Sequence, residues 1–298
     1  MTPDVGGGES GMLTLQQAAD RLGVHYMTAY RYVRTGRLEA TRRGGRWTVA
    51  AADVAALAQR RSATPAATGE RDGGNGGTGA AEVGADRYRG RLLDRLLAGD
   101  EGGAWRVVES ALVARMRPDR AHLDLLAPCL REVGERWAAG TLTVGDEHVA
   151  SATAARLAAR LAPLCARRGR TRGTIVLGGP PGEQHGLPMV LLTNVLRSRG
   201  WGVVELGPDT PSADVVDAAH RADRLLAVGV SVGSDVMVPT ATGLLAEVRA
   251  ALPGVPLLVG GPGVPDPTVA RRLGGDGWGA DADEVDAELV VRRASPGT

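Results

Sequence analysis

The chain of 298 residues carries 35 basic and 34 acidic residues, a net charge of +1, and is 43% hydrophobic, enough for two or three small domains with a core each. No run of about 18 or more apolar residues is present, so no membrane-spanning helix is expected, and residues 1–11, with Asp4 and Glu9, lack a secretion-signal pattern, which points to the cytoplasm. Cys129 and Cys165 lie far apart within helical patterns, which argues against a disulfide framework or a CxxC metal site and leaves two buried thiols.

The small net charge hides an asymmetry, since residues 13–62 hold nine Arg against three acids and mark this end as the candidate nucleic-acid contact. All 35 basic residues are Arg and Phe is absent, a bias that accompanies abundant Ala and Gly and carries no function by itself. Within residues 12–62, Thr14 and Gln17 form a helix-start pair, and Leu15, Ala18, Ala19 and Leu22 recur at helical spacing up to Gly23. A second helix is predicted from about Tyr26 to Val33. The two make a helix-turn-helix whose second helix would present Tyr26, Thr28, Arg31 and Arg34 to a DNA groove. Arg37 to Val49 then alternates loosely about Gly44-Gly45, a hairpin turn signal, giving a wing with Arg42, Arg43 and Arg46 placed to reach phosphates. Asp53 is expected to cap a short closing helix through Leu57. The alternative reading is a small helical core with a solvated Arg face.

Residues 63–86 contain seven Gly with Ala, Thr and Pro and no hydrophobic period, as a flexible linker would. Residues 87–170 read as a four-helix bundle, with Leu92, Leu93, Leu96 and Leu97 in the first helix and Val107, Val108, Ala111 and Leu112 in the second. The third helix runs from about Ala121 to Ala138. The fourth runs from about Gly145 to Arg167, with Val149, Ala152, Leu157 and Leu161 toward the core. From residue 171 to 298, strands at about 174–178, 203–206, 225–230, 257–260 and 277–279 alternate with helices near 189–199, 212–222, 238–251 and 267–273. That alternation predicts a Rossmann-like, flavodoxin-like doubly wound parallel sheet.

The loop Gly182-Glu183-Gln184-His185-Gly186-Leu187-Pro188 puts a histidine and a carboxylate between the first strand and its helix, outside the strand's carboxyl end, where such sheets hold ligands. A neutral imidazole is a good cobalt ligand, and Glu183 could hold the other ring proton, fixing the tautomer and raising basicity. Alone, a Glu-x-His loop is as a rule a solvated turn. Ser231 after the third strand and Gly260-Gly261 at the end of the fourth add to it.

His185, Ser231 and Gly260-Gly261, in this order on a five-stranded sheet, resemble the cobalamin-binding domain of methionine synthases and corrinoid proteins, whose pattern is Asp-x-His-x-x-Gly, then Ser-x-Leu, then Gly-Gly. The resemblance implies that His185 is the lower cobalt ligand, that Ser231 lies by the displaced base and that the glycines make room for the nucleotide tail. This sequence departs in three places: Glu183 stands for Asp, Pro188 for the final Gly, and Gly233 for a Leu whose role is packing. Trp137, nine residues, then Glu147-His148 is similar to the Trp-x9-Glu-His signature of the light-responsive, cobalamin-dependent MerR-like repressors of the CarH type. That similarity implies that Trp137 closes over the upper face of the corrin and that Glu147 and His148 contact an adenosyl group. Without it, the three are a packed Trp at a helix end and ordinary first-turn residues. In those photoreceptors a His can follow the Trp and replace the adenosyl ligand after photolysis. Here the position is Ala138, with His148, His122 or water as substitutes.

The resemblance implies a non-enzymatic, adenosylcobalamin-binding regulator of transcription, a repressor whose cofactor controls assembly into a dimer or tetramer on a double-stranded DNA operator. The N-terminal module looks equally like excisionase-type winged helices. The rival readings are a corrinoid carrier for methyl transfer, which needs no DNA module, and a regulator that no longer binds cobalamin, suggested by Pro188 and Ala138.

Overall fold

The computed structural model describes residues 11–22, 32–33, 38–43, 46–62 and 79–294. They fall into two compact units, one within Met1–Thr78 and Glu132–Glu147, the other within Gly79–Arg131 and His148–Thr298.

In the first unit, β1 (Met12–Thr14), β2 (Ala40–Arg43) and β3 (Arg46–Ala50) form an antiparallel sheet in the order β1-β3-β2, beside α1 (Leu15–Leu22) and α2 (Ala51–Ser62). α1 starts as its sequence dictates: Gln17 Oε1 accepts the Thr14 N–H at 2.9 Å, and Thr14 Oγ1 accepts the Gln17 N–H at 3.3 Å. Ala18, Leu22, Tyr32, Leu38, Val49, Val54 and Leu57 make the core. The wing is the β2–β3 pair, with Arg43 opposite Arg46, and β1 adds a third strand that the sequence pattern did not predict. The closing helix is longer than expected, and Asp53 lies inside its first turn instead of capping it, where its charge still favours the helix N-terminus. The turn at Gly23–His25, the groove-facing Tyr26, Thr28, Arg31 and Arg34, and the Gly44–Gly45 turn lie outside the described residues, as do the side chains of Arg42, Arg43 and Arg46.

The second unit begins with α3 (Gly79–Leu97), so the last eight residues of the expected linker are helical. Their glycines and alanines concealed a helix that already buries Ala85. α4 (Glu101–Val113) follows, capped by Asp100, whose carboxylate accepts the Gly103 N–H at 2.7 Å. The next helix is α5 (Pro118–Arg120), a π-helical turn (Ala121–Leu126) and α6 (Ala127–Ala138) without a break. α7 (Val144–Cys165) buries Ala150, Thr153, Ala154, Leu157, Ala158, Leu161 and Cys165, a stripe at helical spacing. Leu157 and Leu161 face the core as predicted, but Val149 and Ala152 are exposed, because alanines on every side of this helix blur the apolar stripe. Leu92, Leu96, Val108, Ala111, Leu125 and Leu126 are also buried in the helical region.

β4 (Thr174–Gly178), β5 (Gly202–Gly207), β6 (Leu225–Ser231), β7 (Leu257–Gly260) and β8 (Gly277–Gly279) form a parallel sheet in the order β5-β4-β6-β7-β8. This is the flavodoxin-like order. Along β4 the side chains alternate, with Ile175 and Leu177 packing under α8 (Leu187–Ser198) and α12 (Ala282–Ala294) and Val176 under α9 (Ser212–Arg221) and α10 (Val238–Ala251). α11 (Pro267–Leu273) is capped by Asp266, whose Oδ1 accepts the Thr268 and Val269 N–H groups. α12 was not predicted; its acidic start hides Val285 and Leu289, which reach the sheet.

Candidate functional site

β4 has β5 on one side and β6 on the other, so the connections leaving β4 and β6 run to opposite sides and part a crevice at the carboxyl end of the sheet. His185 lies in the loop after β4, and Ser231 is the last residue of β6.

The side chain that organises the crevice is Glu183, which is 2% exposed. Its Oε1 accepts the backbone N–H of Gln184 and of His185, each at 2.9 Å, and Nδ1–H of His185 at 2.6 Å. Its Oε2 accepts the backbone N–H of Gly233 at 2.6 Å, across the switch point. Burial pushes the Glu183 carboxyl up, but the amides of His185 and Gly233 and the imidazole outweigh it and hold it below its usual 4.5. A carboxylate can only accept, so Nδ1 of His185 carries the proton of this bond, and in the neutral ring the lone pair is on Nε2. The imidazole is 64% exposed while the carboxylate behind it is buried. This is how a metal-ligating histidine is aimed and made more basic.

Gly233 is required by the same arrangement. A Cβ there would stand 2.6 Å from Nδ1 of His185 and 2.7 and 2.8 Å from the Glu183 oxygens. The departure from Leu at this position is therefore tied to the departure from Asp at 183, and is more than lost packing. Gly260 and Gly261 also answer to the fold itself: a Cβ on Gly260 would lie 2.4 Å from the Gly279 carbonyl, and one on Gly261, at φ +100°, 2.6 Å from the Val232 carbonyl.

Pro188 occupies the start of α8, where its missing N–H costs nothing, so it is compatible with the loop. The loop is also tied to the one after β5, a contact that the sequence reading missed. Gly182 donates its N–H to Asp209 Oδ1 at 2.7 Å, and the backbone of Gly179 pairs with Gly207 and Thr210. The only sequence signal was an Asp able to take the left-handed conformation, which Asp209 does at φ 53°.

Trp137 is half-buried near the end of α6. α7 opens with a reciprocal cap in which Asp146 Oδ2 accepts the Thr143 N–H at 2.8 Å and Thr143 Oγ1 accepts the Asp146 N–H at 3.1 Å. This places Glu147 in the first turn and exposed His148 after it. Trp137 and Glu147 belong to the first unit, and His148, Glu183, His185, Ser231, Gly260 and Gly261 to the second. His122 is not available as a substitute ligand. It is fully buried, its Nδ1–H donates to the Pro118 carbonyl at 2.9 Å, and Asn194 Nδ2 donates to its Nε2 at 3.0 Å.

Among the described residues no group of three or more His, Cys, Asp or Glu side chains could hold a bare metal ion. A lone, backed and exposed imidazole suits instead a metal that arrives in its own macrocycle, and cobalamin fits this donor set.

Residues 12–62 match the family described as a helix-turn-helix domain, and residues 88–161 and 173–285 each match a B12 binding domain. The chain is 36% identical, over 194 residues and 63% of its length, to the HTH-type transcriptional repressor CarH of Myxococcus xanthus, and the match spans 62% of that protein's length. It is 29% identical over 68 residues to the methanol–corrinoid protein of Methanosarcina barkeri, covering 23% of this chain and 26% of that one. The monomethylamine corrinoid protein of Methanosarcina barkeri shares the fold, with a TM-score of 0.62 at 18% identity over 69% of this chain and 99% of that one.

Proposed function

We propose that this chain, whose helix-turn-helix and two B12 binding domains are those of a CarH-type cobalamin-dependent regulator, holds cobalamin on His185 and represses transcription as the cofactor directs. The observation that carries the reading is the buried Glu183 carboxylate, which holds the His185 Nδ1 proton and leaves Nε2 exposed outside the switch point. Adenosylcobalamin, when bound, supplies a cobalt–carbon bond that light can break.

The rest belongs to the chain. His185 would hold the cobalt through Nε2, and Glu183 holds the Nδ1 proton and keeps the ring oriented. Ser231, Gly260 and Gly261 line the path for the nucleotide end. Trp137, Glu147 and His148 would contact an adenosyl group, an assignment that rests on the Trp-x9-Glu-His spacing. Tyr26, Thr28, Arg31 and Arg34 enter a groove of double-stranded DNA, with Arg42, Arg43 and Arg46 on phosphates. A homo-oligomer, dimer or tetramer, pairs such modules on a repeated operator, so that half-site energies combine through effective concentration. The setting is the cytoplasm and the role is not enzymatic.

The test is the absorption spectrum of the protein with adenosylcobalamin beside that of His185→Ala. A base-off, His-ligated spectrum in the parent and its loss in the variant are expected. A parent that takes up no cobalamin overturns the reading. Identical spectra and DNA retardation in darkness and after green illumination remove the light-sensing part alone.

A further inference from the structure

At the opposite end of the sheet, a cleft of about 370 Å³ opens between the segment joining α7 to β4 and the turn before β5. Its lining includes Arg167, Arg168, Arg170, Arg172 and Arg197. Arg172 is fixed: its guanidinium stacks on Trp201, 4.1 Å from the ring centre, and it meets Asp286 at 3.7 Å. Arg197 is steadied by the Val203 carbonyl at 3.1 Å. Gly200 also lines the cleft, at φ +88°. Among the described residues, Arg167, Arg168, Arg170 and Arg197 form no ion pair with a carboxylate.

Two of these charges follow the C-terminus of α7, where cations are favourable. Four uncompensated guanidinium groups around one concavity exceed what a helix end needs. They repel one another unless an anion sits among them. A single carboxylate would neutralise one, whereas adjacent phosphates bring several charges and match the planar fork of Arg in pairs. β4 separates the cleft from the His185 loop, since Arg172 precedes its first residue and His185 follows its last. That is a span of about 16 Å at ~3.3 Å per residue.

We propose that this arginine cleft is a binding site for a ligand with adjacent phosphate groups, either a free polyphosphate compound or the backbone of DNA. It is separate from the cobalamin site and does not depend on that assignment.

The test uses the full chain and inorganic tripolyphosphate, titrated by calorimetry at low salt, beside the variant Arg167→Ser/Arg168→Ser/Arg170→Ser. One tripolyphosphate per chain and at least tenfold weaker binding in the variant are expected. A loss of tripolyphosphate binding that follows Arg42→Ser/Arg43→Ser/Arg46→Ser and not the cleft variant overturns the proposal. For DNA, affinity is measured against salt. If the backbone is the source, the slope of log affinity on log salt falls by about 0.9 for each phosphate contact removed. Loss of tripolyphosphate binding with an unchanged DNA slope supports a free compound. Unchanged tripolyphosphate affinity together with an unchanged slope overturns the site. If the triple variant does not fold, Arg170→Glu is read the same way. His185→Ala loses cobalamin but keeps tripolyphosphate, so the two assignments fail separately.

Discussion

The carboxylate of Glu183 fills the space that any side chain at position 233 would need. A Cβ on Gly233 would come within 2.8 Å of both its oxygens, and Oε2 already takes the Gly233 N–H at 2.6 Å. The two residues, fifty positions apart in the chain, act as one fitting. Gly233→Ala is expected to weaken cobalamin binding at least tenfold, about 1.4 kcal/mol. Glu183→Asp in the same chain should restore part of it by shortening the intruding group. Spectroscopic titration of the parent, both single variants and the double variant measures the coupling. Additive losses would sink the idea.

Glu183→Gln removes an acceptor that serves four N–H groups. An amide must turn its own N–H toward at least one of those donors, at a cost of roughly 3 kcal/mol. Urea unfolding should show this loss at pH 7. The parent's Glu183 contribution is present above the unfolded carboxyl pKa and is lost as pH falls through the lower folded value. The gap between parent and variant should therefore narrow in acid, and a constant gap from pH 7 to pH 3 would refute the assignment of charge.

His122 ties the helical region to α8 within the second unit, with Pro118 and Cys165 on one side and Asn194 on the other. Burial holds its imidazole below the usual 6.5, against raising contributions from the Pro118 carbonyl and Asp119. Its folded form is neutral while the unfolded chain takes up a proton, so stability is complete above pH 6.5 and falls as pH drops below it. The melting temperature should decline between pH 7.5 and 5.5, and less steeply in His122→Gln. Parallel curves would show that another group controls the acid limb.

Cys165 is buried, and burial with the nearby Asp119 charge pushes its thiol up to about 11. It should resist alkylation at pH 8 in the folded chain and react once urea is added. Modification at equal rates in both conditions would contradict the buried placement.

Most of the fold was legible because its signals are local. The sheet strands announced themselves as short apolar runs, and Thr14 and Gln17 marked the start of α1. The first turns of α3 and the whole of α12 were not, since a Gly/Ala-rich start and a charged start look like linker and tail until partners such as Leu289 supply burial. The pairing of Glu183 with His185 was readable as Glu-x-His. The role of Gly233 was not, because what it gives is a backbone N–H and an absent side chain, and neither leaves a mark in sequence. Pro188 was read as a disturbance for want of the helix boundary that accommodates it.

That boundary bears on how tightly a ligand can be gripped. Pro188 near the start of α8 has a fixed φ, and its ring would meet the carbonyl of Gln184 if the helix extended backward through His185. The unliganded loop consequently samples fewer shapes, and less freedom remains to be surrendered when His185 is engaged. A residue that resembles a flaw in the motif acts on the entropy side, by keeping the His185 segment in readiness.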